Sequence, residues 1–259
     1  MSMSNPFPKL RSPIVLVHGL LGVNRIQVGD WTLASYFGQI PQLLTAAGNR
    51  VLLPQLSLTG GVADRAGQLK QFLDEQMPGE PVHLIAHSMG GLDSRYLISR
   101  LDMASRVLSL TTIGTPHRGS PFADWSVSKL ERFVKPILDW FGIPQQAFYD
   151  LTTTKCRTFN DLVVDAPSVR YFSVAGRHEG DWWSPEWQLP HQIVLQTEGP
   201  NDGVVSVTSA TYGETIDIWE GDHLSLINWP GLAALARGHI FDRTPDYTAL
   251  VRRLADAGF

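Results

Sequence analysis

An apolar run, Val82-His83-Leu84-Ile85-Ala86-His87, stops at Ser88-Met89-Gly90-Gly91, and the positions Leu92, Tyr96, Leu97 and Leu101 that follow have helical spacing. A strand that enters a helix directly through a serine needs a tight turn with little room beside it. The positions two before and two after the serine must then be small. Ala86 and Gly90 meet that demand. The usual form is Gly-x-Ser-x-Gly, so Ala86 is a departure, tolerable where the position needs only a small side chain. In such a turn Ser88 sits on strained backbone with its hydroxyl exposed, as a nucleophile requires. The competing reading makes Ser88 a plain helix cap. It lacks the acidic third residue of a capping box and leaves the flanking small residues unexplained.

The rest of the chain alternates strand and helix signals. Ile14-Val15-Leu16-Val17 reads as a buried strand, followed by a helix on Ile40, Leu43, Leu44 and Ala47 that Gly48-Asn49 ends. Val51-Leu52-Leu53 is a short strand stopped by Pro54. Val62, Ala66, Leu69, Phe72, Leu73 and Met77 mark a helix closed by Pro78-Gly79. Beyond the Ser88 turn, Val107 to Ile113 and Val169 to Ala175 read as strands, and Ile193-Val194-Leu195 as another. This pattern predicts an α/β fold, a mostly parallel sheet covered by helices on both faces, with ligands beyond the carboxyl ends of the strands. A chain of 259 residues, 43% hydrophobic and 18% charged, fits one domain over residues 1–259.

Composition removes several function classes. A net charge of −4 gives no footprint for nucleic acid. A single cysteine, Cys156, excludes an internal disulfide, and no run approaches the roughly 18 apolar residues of a membrane span. The segment from Met1 to Pro8 has neither a basic region nor an apolar core of the secretory kind. The expected location is therefore the cytoplasm, or the exterior by a route independent of a signal peptide.

Residues just after the strands are the candidate chemistry. His18-Gly19-Leu20-Leu21-Gly22 follows the first strand, and its glycines would let the backbone turn an amide inward. Leu20 N–H is a candidate donor to a developing oxyanion, with Met89 N–H at a helix N-terminus as its partner. A serine on this architecture needs an acid and then a histidine later in the chain. Asn201-Asp202-Gly203 offers Asp202, and Gly221-Asp222-His223 offers His223. Asp202 would hold the imidazole tautomer while His223 takes the Ser88 proton. Taken singly, these are an ordinary turn and a surface loop histidine. Asp222 is a weaker rival for the acid because a sequence neighbour points the wrong way. His83 and His87 read as structural, with His87 facing away from Ser88; His117 reads as a loop-fixing residue, His178 and His191 as surface, and His239 as the main competitor of His223. No grouping has metal-ligand spacing, so no metal is expected.

Taken together, Ile14 to Gly22, the Ser88 turn, Gly114-Thr115-Pro116-His117-Arg118-Gly119-Ser120, Asn201 to Val205 and Asp222-His223-Leu224 resemble the α/β-hydrolase triacylglycerol lipases of the Pseudomonas, Burkholderia and Proteus type. The resemblance implies an α/β-hydrolase fold and an ester hydrolase using Ser88, Asp202 and His223, with Leu20 and Met89 as oxyanion amides. Those lipases carry a calcium ion held partly by an aspartate two residues after the histidine. Ser225 stands there in this chain, and loss of a carboxylate weakens a site for a hard cation. Asp181 stays open as a residual ligand, but no calcium and no cofactor are expected.

Residues 121–166 carry Trp125, Leu130, Phe133, Val134, Ile137, Leu138, Trp140 and Phe141 at helical spacings, the pattern of a lid or cap over an apolar cleft. A helix packed permanently on the core has the same pattern. Trp182, Trp183 and Trp187 would form a second apolar rim. The expected partners are a small-molecule or lipid ester and, transiently, a lipid interface. A thioesterase or acyltransferase would use the same residues, and a non-catalytic ligand-binding homologue would not need all three.

Overall fold

The computed structural model describes residues 7–20, 25–28, 31–133, 146–180, 185–229 and 242–259. At its centre is a six-stranded sheet built from β1 (Ile14–Val17), β4 (Val51–Leu52), β5 (Val82–His87), β6 (Val107–Ile113), β7 (Arg170–Arg177) and β8 (Glu214–Glu220). The strand order is β4-β1-β5-β6-β7-β8, and every pair is parallel. β1 and β5 are buried at every position, which is why they read as unbroken apolar runs: helices cover both faces. A separate antiparallel pair, β2 (Arg25–Val28) with β3 (Trp31–Ser35), follows β1.

Among the described residues the helices are α1 (Ile40–Ala46), α2 (Val62–Gln76), α3 (Met89–Arg100), α4 (Pro121–Phe133), α5 (Gln146–Asp150), α6 (Thr153–Leu162), α7 (Pro185–Glu198), α8 (Val207–Ala210) and α9 (Thr244–Asp256). One core layer joins α1 and α9 to one face of the sheet through Phe37, Leu44, Tyr247 and Leu254. The other joins α2 and α3 to the opposite face through Leu69, Leu73, Leu97 and Ile98.

Two expectations need correction. Ile193-Val194-Leu195 lies inside α7, not in a strand. Val194 is fully buried while Leu195 is 46% exposed, so the triplet straddles the edge of a helix face and the β-branched residues misread it. The sixth strand is instead β8, an edge strand whose exposed Thr215, Asp217 and Glu220 dilute any apolar signal. Asp202 accordingly follows a helix rather than a strand.

Candidate active site

Ser88 joins β5 to α3 with φ 56° and ψ −131°, a conformation that costs a non-glycine residue about 1–3 kcal/mol. The surrounding backbone enforces it. Ser88 N–H donates to the Ile113 carbonyl (2.9 Å), and the Ser88 carbonyl accepts from Thr115 Oγ1 (2.8 Å) and Gly91 N–H (3.0 Å). The demand for small flanks has a direct cause at Gly90, where a Cβ would stand 2.8 Å from the carbonyl oxygens of both Val17 and His18. Ala86 remains in the β5 ladder between Val17 and Thr112 with ordinary strand backbone, so its methyl is accommodated.

Asp202 and His223 meet across the carboxyl ends of β6 and β7. His223 Nδ1 lies 2.7 Å from Asp202 Oδ2, and His223 N–H donates to the Asp202 carbonyl at 2.7 Å. The carboxylate is fully buried, and its other oxygen accepts from Val204 N–H (3.1 Å) and Val205 N–H (2.8 Å). A carboxylate only accepts, so Nδ1–H donates to it, and in the neutral ring Nε2 is then the nitrogen with the lone pair. Two glycines clear the space: a Cβ at Gly114 would come within 3.0 Å of Asp202 Oδ2, and one at Gly176 within 2.7 Å of Asp202 Cβ. The rival Asp222 turns away, accepting from Leu224 N–H and Ser225 N–H of its own loop.

On the other side of Ser88, the loop after β1 is held from three directions. Gly19 N–H donates to Tyr36 Oη (2.9 Å), and His18 Nδ1–H donates to the Gly19 carbonyl (2.8 Å) while His18 Nε2 accepts from Leu56 N–H (2.9 Å). Acceptance at Nε2 requires the neutral ring, in keeping with burial that lowers its pKa to about 4. The trans Gly19-Leu20 peptide then throws Leu20 N–H to the side opposite the pinned carbonyl. Arg65 secures the third direction. Its Nη2 donates to the His18 carbonyl at 2.7 Å and its Nε to Asp93 Oδ2 on α3 at 2.7 Å, with both side chains fully buried. There is no room for a side chain at Gly19, whose Cβ would lie 2.7 Å from Ser88 Cβ. Met89 opens α3, so its N–H has no partner within the helix.

Ser88, His223 and Leu20 line one cavity of about 500 Å³, whose walls are otherwise mostly apolar, including Phe122, Phe148, Leu151, Val205 and Trp229. Phe122 and Ala123 come from α4 and Phe148 from α5, so the described part of residues 121–166 forms one wall. Carboxylates tie this wall down: Asp124 accepts from Thr153 N–H (2.9 Å) and Oγ1 (2.8 Å), and Asp150 accepts from Val62 N–H (2.8 Å). The aromatic and aliphatic residues Val134, Ile137, Leu138, Trp140 and Phe141 lie outside the described residues, as do Trp182, Trp183, Asp181 and His239.

The remaining histidines correct two expectations. His87 does not face away: it lines the cavity, its ring centroid 4.5 Å from that of His223. His191 is buried rather than superficial, donating to the His178 carbonyl at 2.9 Å. His117 fixes its loop as expected, bonded to Thr112 Oγ1 and to the Ser209 carbonyl. Sequence reading missed Tyr36 and the Arg65–Asp93 pair altogether. Burial pushes the Cys156 thiol up to about 12, too high for thiolate chemistry near neutral pH.

Residues 43–219 match the PGAP1-like alpha/beta domain family. Triacylglycerol lipase 2 of Saccharomyces cerevisiae is 34% identical over 75% of this chain, which spans 62% of that protein's length. A triacylglycerol lipase of Vibrio cholerae is 30% identical over 97% of this chain and 90% of its own. Among solved structures, the mature lipase BlEst2 of Bacillus licheniformis superposes with a TM-score of 0.66 at 28% identity, covering 83% of this chain and 86% of that one. The α/β-hydrolase expectation is met, and the bacterial subtype named by resemblance is narrower than these relatives, one of which is fungal. With its parallel sheet, its serine on a strained strand-to-helix turn and these relatives, the chain belongs to the PGAP1-like alpha/beta domain family, within the α/β-hydrolases and beside the triacylglycerol lipases.

Proposed function

We propose that the chain hydrolyses carboxylic esters of apolar acyl chains through an acyl-serine intermediate, with Ser88 as nucleophile, His223 as general base and acid, and Asp202 holding the imidazole. One observation carries the reading: a serine on φ 56° backbone and a histidine whose Nδ1 is engaged by a buried carboxylate open into the same cavity. Ser88 Oγ attacks the ester carbonyl carbon as His223 Nε2 takes its proton. The tetrahedral oxyanion is met by Leu20 N–H and Met89 N–H. Collapse breaks the bond to the alcohol, which leaves with the proton from Nε2; water then repeats the sequence and releases the acid. The apolar lining and the names of the relatives support lipid esters as substrates, and α4 and α5 beside the cavity suit a cap that meets a lipid surface transiently.

Purified wild type and Ser88→Ala, assayed on nitrophenyl esters of increasing acyl length, test this. The expected result is a loss of at least about 10⁴-fold in kcat for the variant, with wild-type preference rising toward long chains. Activity that persists in Ser88→Ala overturns the mechanism, and a short-chain optimum overturns the apolar-chain assignment.

A further inference from the structure

Between the two loops that flank Ser88 runs an unbroken set of hydrogen bonds. Gly19 N–H donates to Tyr36 Oη (2.9 Å), Tyr36 Oη lies 2.8 Å from His87 Nδ1, and His87 Nε2 lies 3.0 Å from the main-chain carbonyl of His223. The direction of every proton is determined. A carbonyl cannot donate, so His87 Nε2 carries a hydrogen and gives it to His223. Burial and the neighbouring His223 hold the His87 ring well below the usual histidine pKa, and it is therefore neutral. Its Nδ1 is then an acceptor, Tyr36 O–H donates to it, and the phenol oxygen is left to accept from Gly19. Tyr36 and His87 are both buried, where an unmade hydrogen bond carries its full desolvation cost.

Resting on the assignment of Ser88, His223 and the Leu20 amide above, we propose that Tyr36 and His87 are positioning residues that couple the two halves of the site. They fix the oxyanion loop and the main chain of the base relative to each other, so that displacement of one loop is transmitted to the other. Neither needs to exchange a proton with substrate. The set reaches from the loop after β1, through Tyr36 just after β3 and His87 at the end of β5, to the loop after β8.

The test compares wild type, Tyr36→Phe, His87→Gln and the double variant by kcat, KM and thermal midpoint on one nitrophenyl ester, with Ser88→Ala as reference. The expected result is a roughly tenfold fall in kcat for each single variant with KM within about twofold, and a double variant no worse than about the poorer single, because both cut one connection. Losses that multiply to about a hundredfold, or a rise in KM at unchanged kcat, overturn the coupling. Should a variant fail to fold, nitrogen-15 NMR of the histidines in wild type decides: His87 must hold its hydrogen on Nε2 and not titrate between about pH 5 and about pH 8. A hydrogen on Nδ1 overturns the proposal. Full activity in Ser88→Ala would sink the underlying mechanism instead; an inactive Ser88→Ala beside an unimpaired Tyr36→Phe sinks the coupling alone.

Discussion

In the proposed mechanism Ser88 combines a required hydroxyl with a backbone conformation that its side chain disfavours. Ser88→Gly removes the chemistry and the strain together, so it should raise the thermal midpoint by about 2–4 °C, corresponding to about 1 kcal/mol. Ser88→Ala keeps the Cβ and should not; equal midpoints for the two variants would show that the turn stores no strain. Gly90 has the opposite constraint. A methyl there meets two carbonyl oxygens at 2.8 Å and cannot push rigid backbone aside, so Gly90→Ala should cost about 1–3 kcal/mol in urea denaturation. Asp202→Asn preserves shape but offers a donor where Nδ1–H needs an acceptor, and kcat should fall by roughly 10³–10⁴-fold with little change in stability. Ser88, Asp202 and His223 stood out as candidates in the sequence because each lies within two residues of a glycine in a short loop signature. Tyr36 did not: its two hydrogen-bond partners lie 17 and 51 residues away in sequence, and nothing local distinguishes it from a core aromatic.

Among the elements, those buried on both faces could be read from the chain, since β1 is wholly apolar and β5 and β6 are rich in apolar and β-branched residues. β8 and α7 could not. An edge strand is stabilised by one neighbour and carries polar residues for solvent, while α7 hides a β-branched pair on a helix face. The wall formed by α4 and α5 belongs to this scale, because its attachment is made of single side chains. Asp124 satisfies two donors at the start of α6. Asp124→Ala should therefore loosen that junction at about 1–2 kcal/mol, read as faster proteolysis within residues 121–166 than in wild type. Unchanged cleavage would mean that packing alone holds the wall.

For the whole molecule, buried histidines set the response to acid. Burial lowers His18 and His83 to about 4 and holds His87 and His117 well below the ordinary value. Unfolded histidine titrates near 6.5. Above that pH both states are neutral and the four groups contribute fully; as pH falls toward 4 the unfolded chain takes up protons that the fold refuses, and stability is lost. Asp93 acts in reverse. Burial raises it to about 7 against the pull of Arg65, so its contribution is present below about 4 and lost as pH rises through 7. Four groups outweigh one, and the urea midpoint should drop steadily between about pH 7 and about pH 4.5; a flat profile would contradict neutral burial. The strand order has a different consequence, for a chain emerging from the ribosome. After β5 each strand made docks on the edge left by the one before, and the loop bearing His223 follows β8, the last of them. Synthesis from the N-terminus therefore completes the Ser88 turn long before the His223 loop arrives, and under the proposed mechanism a nascent or truncated chain stays idle until the final strand is in place.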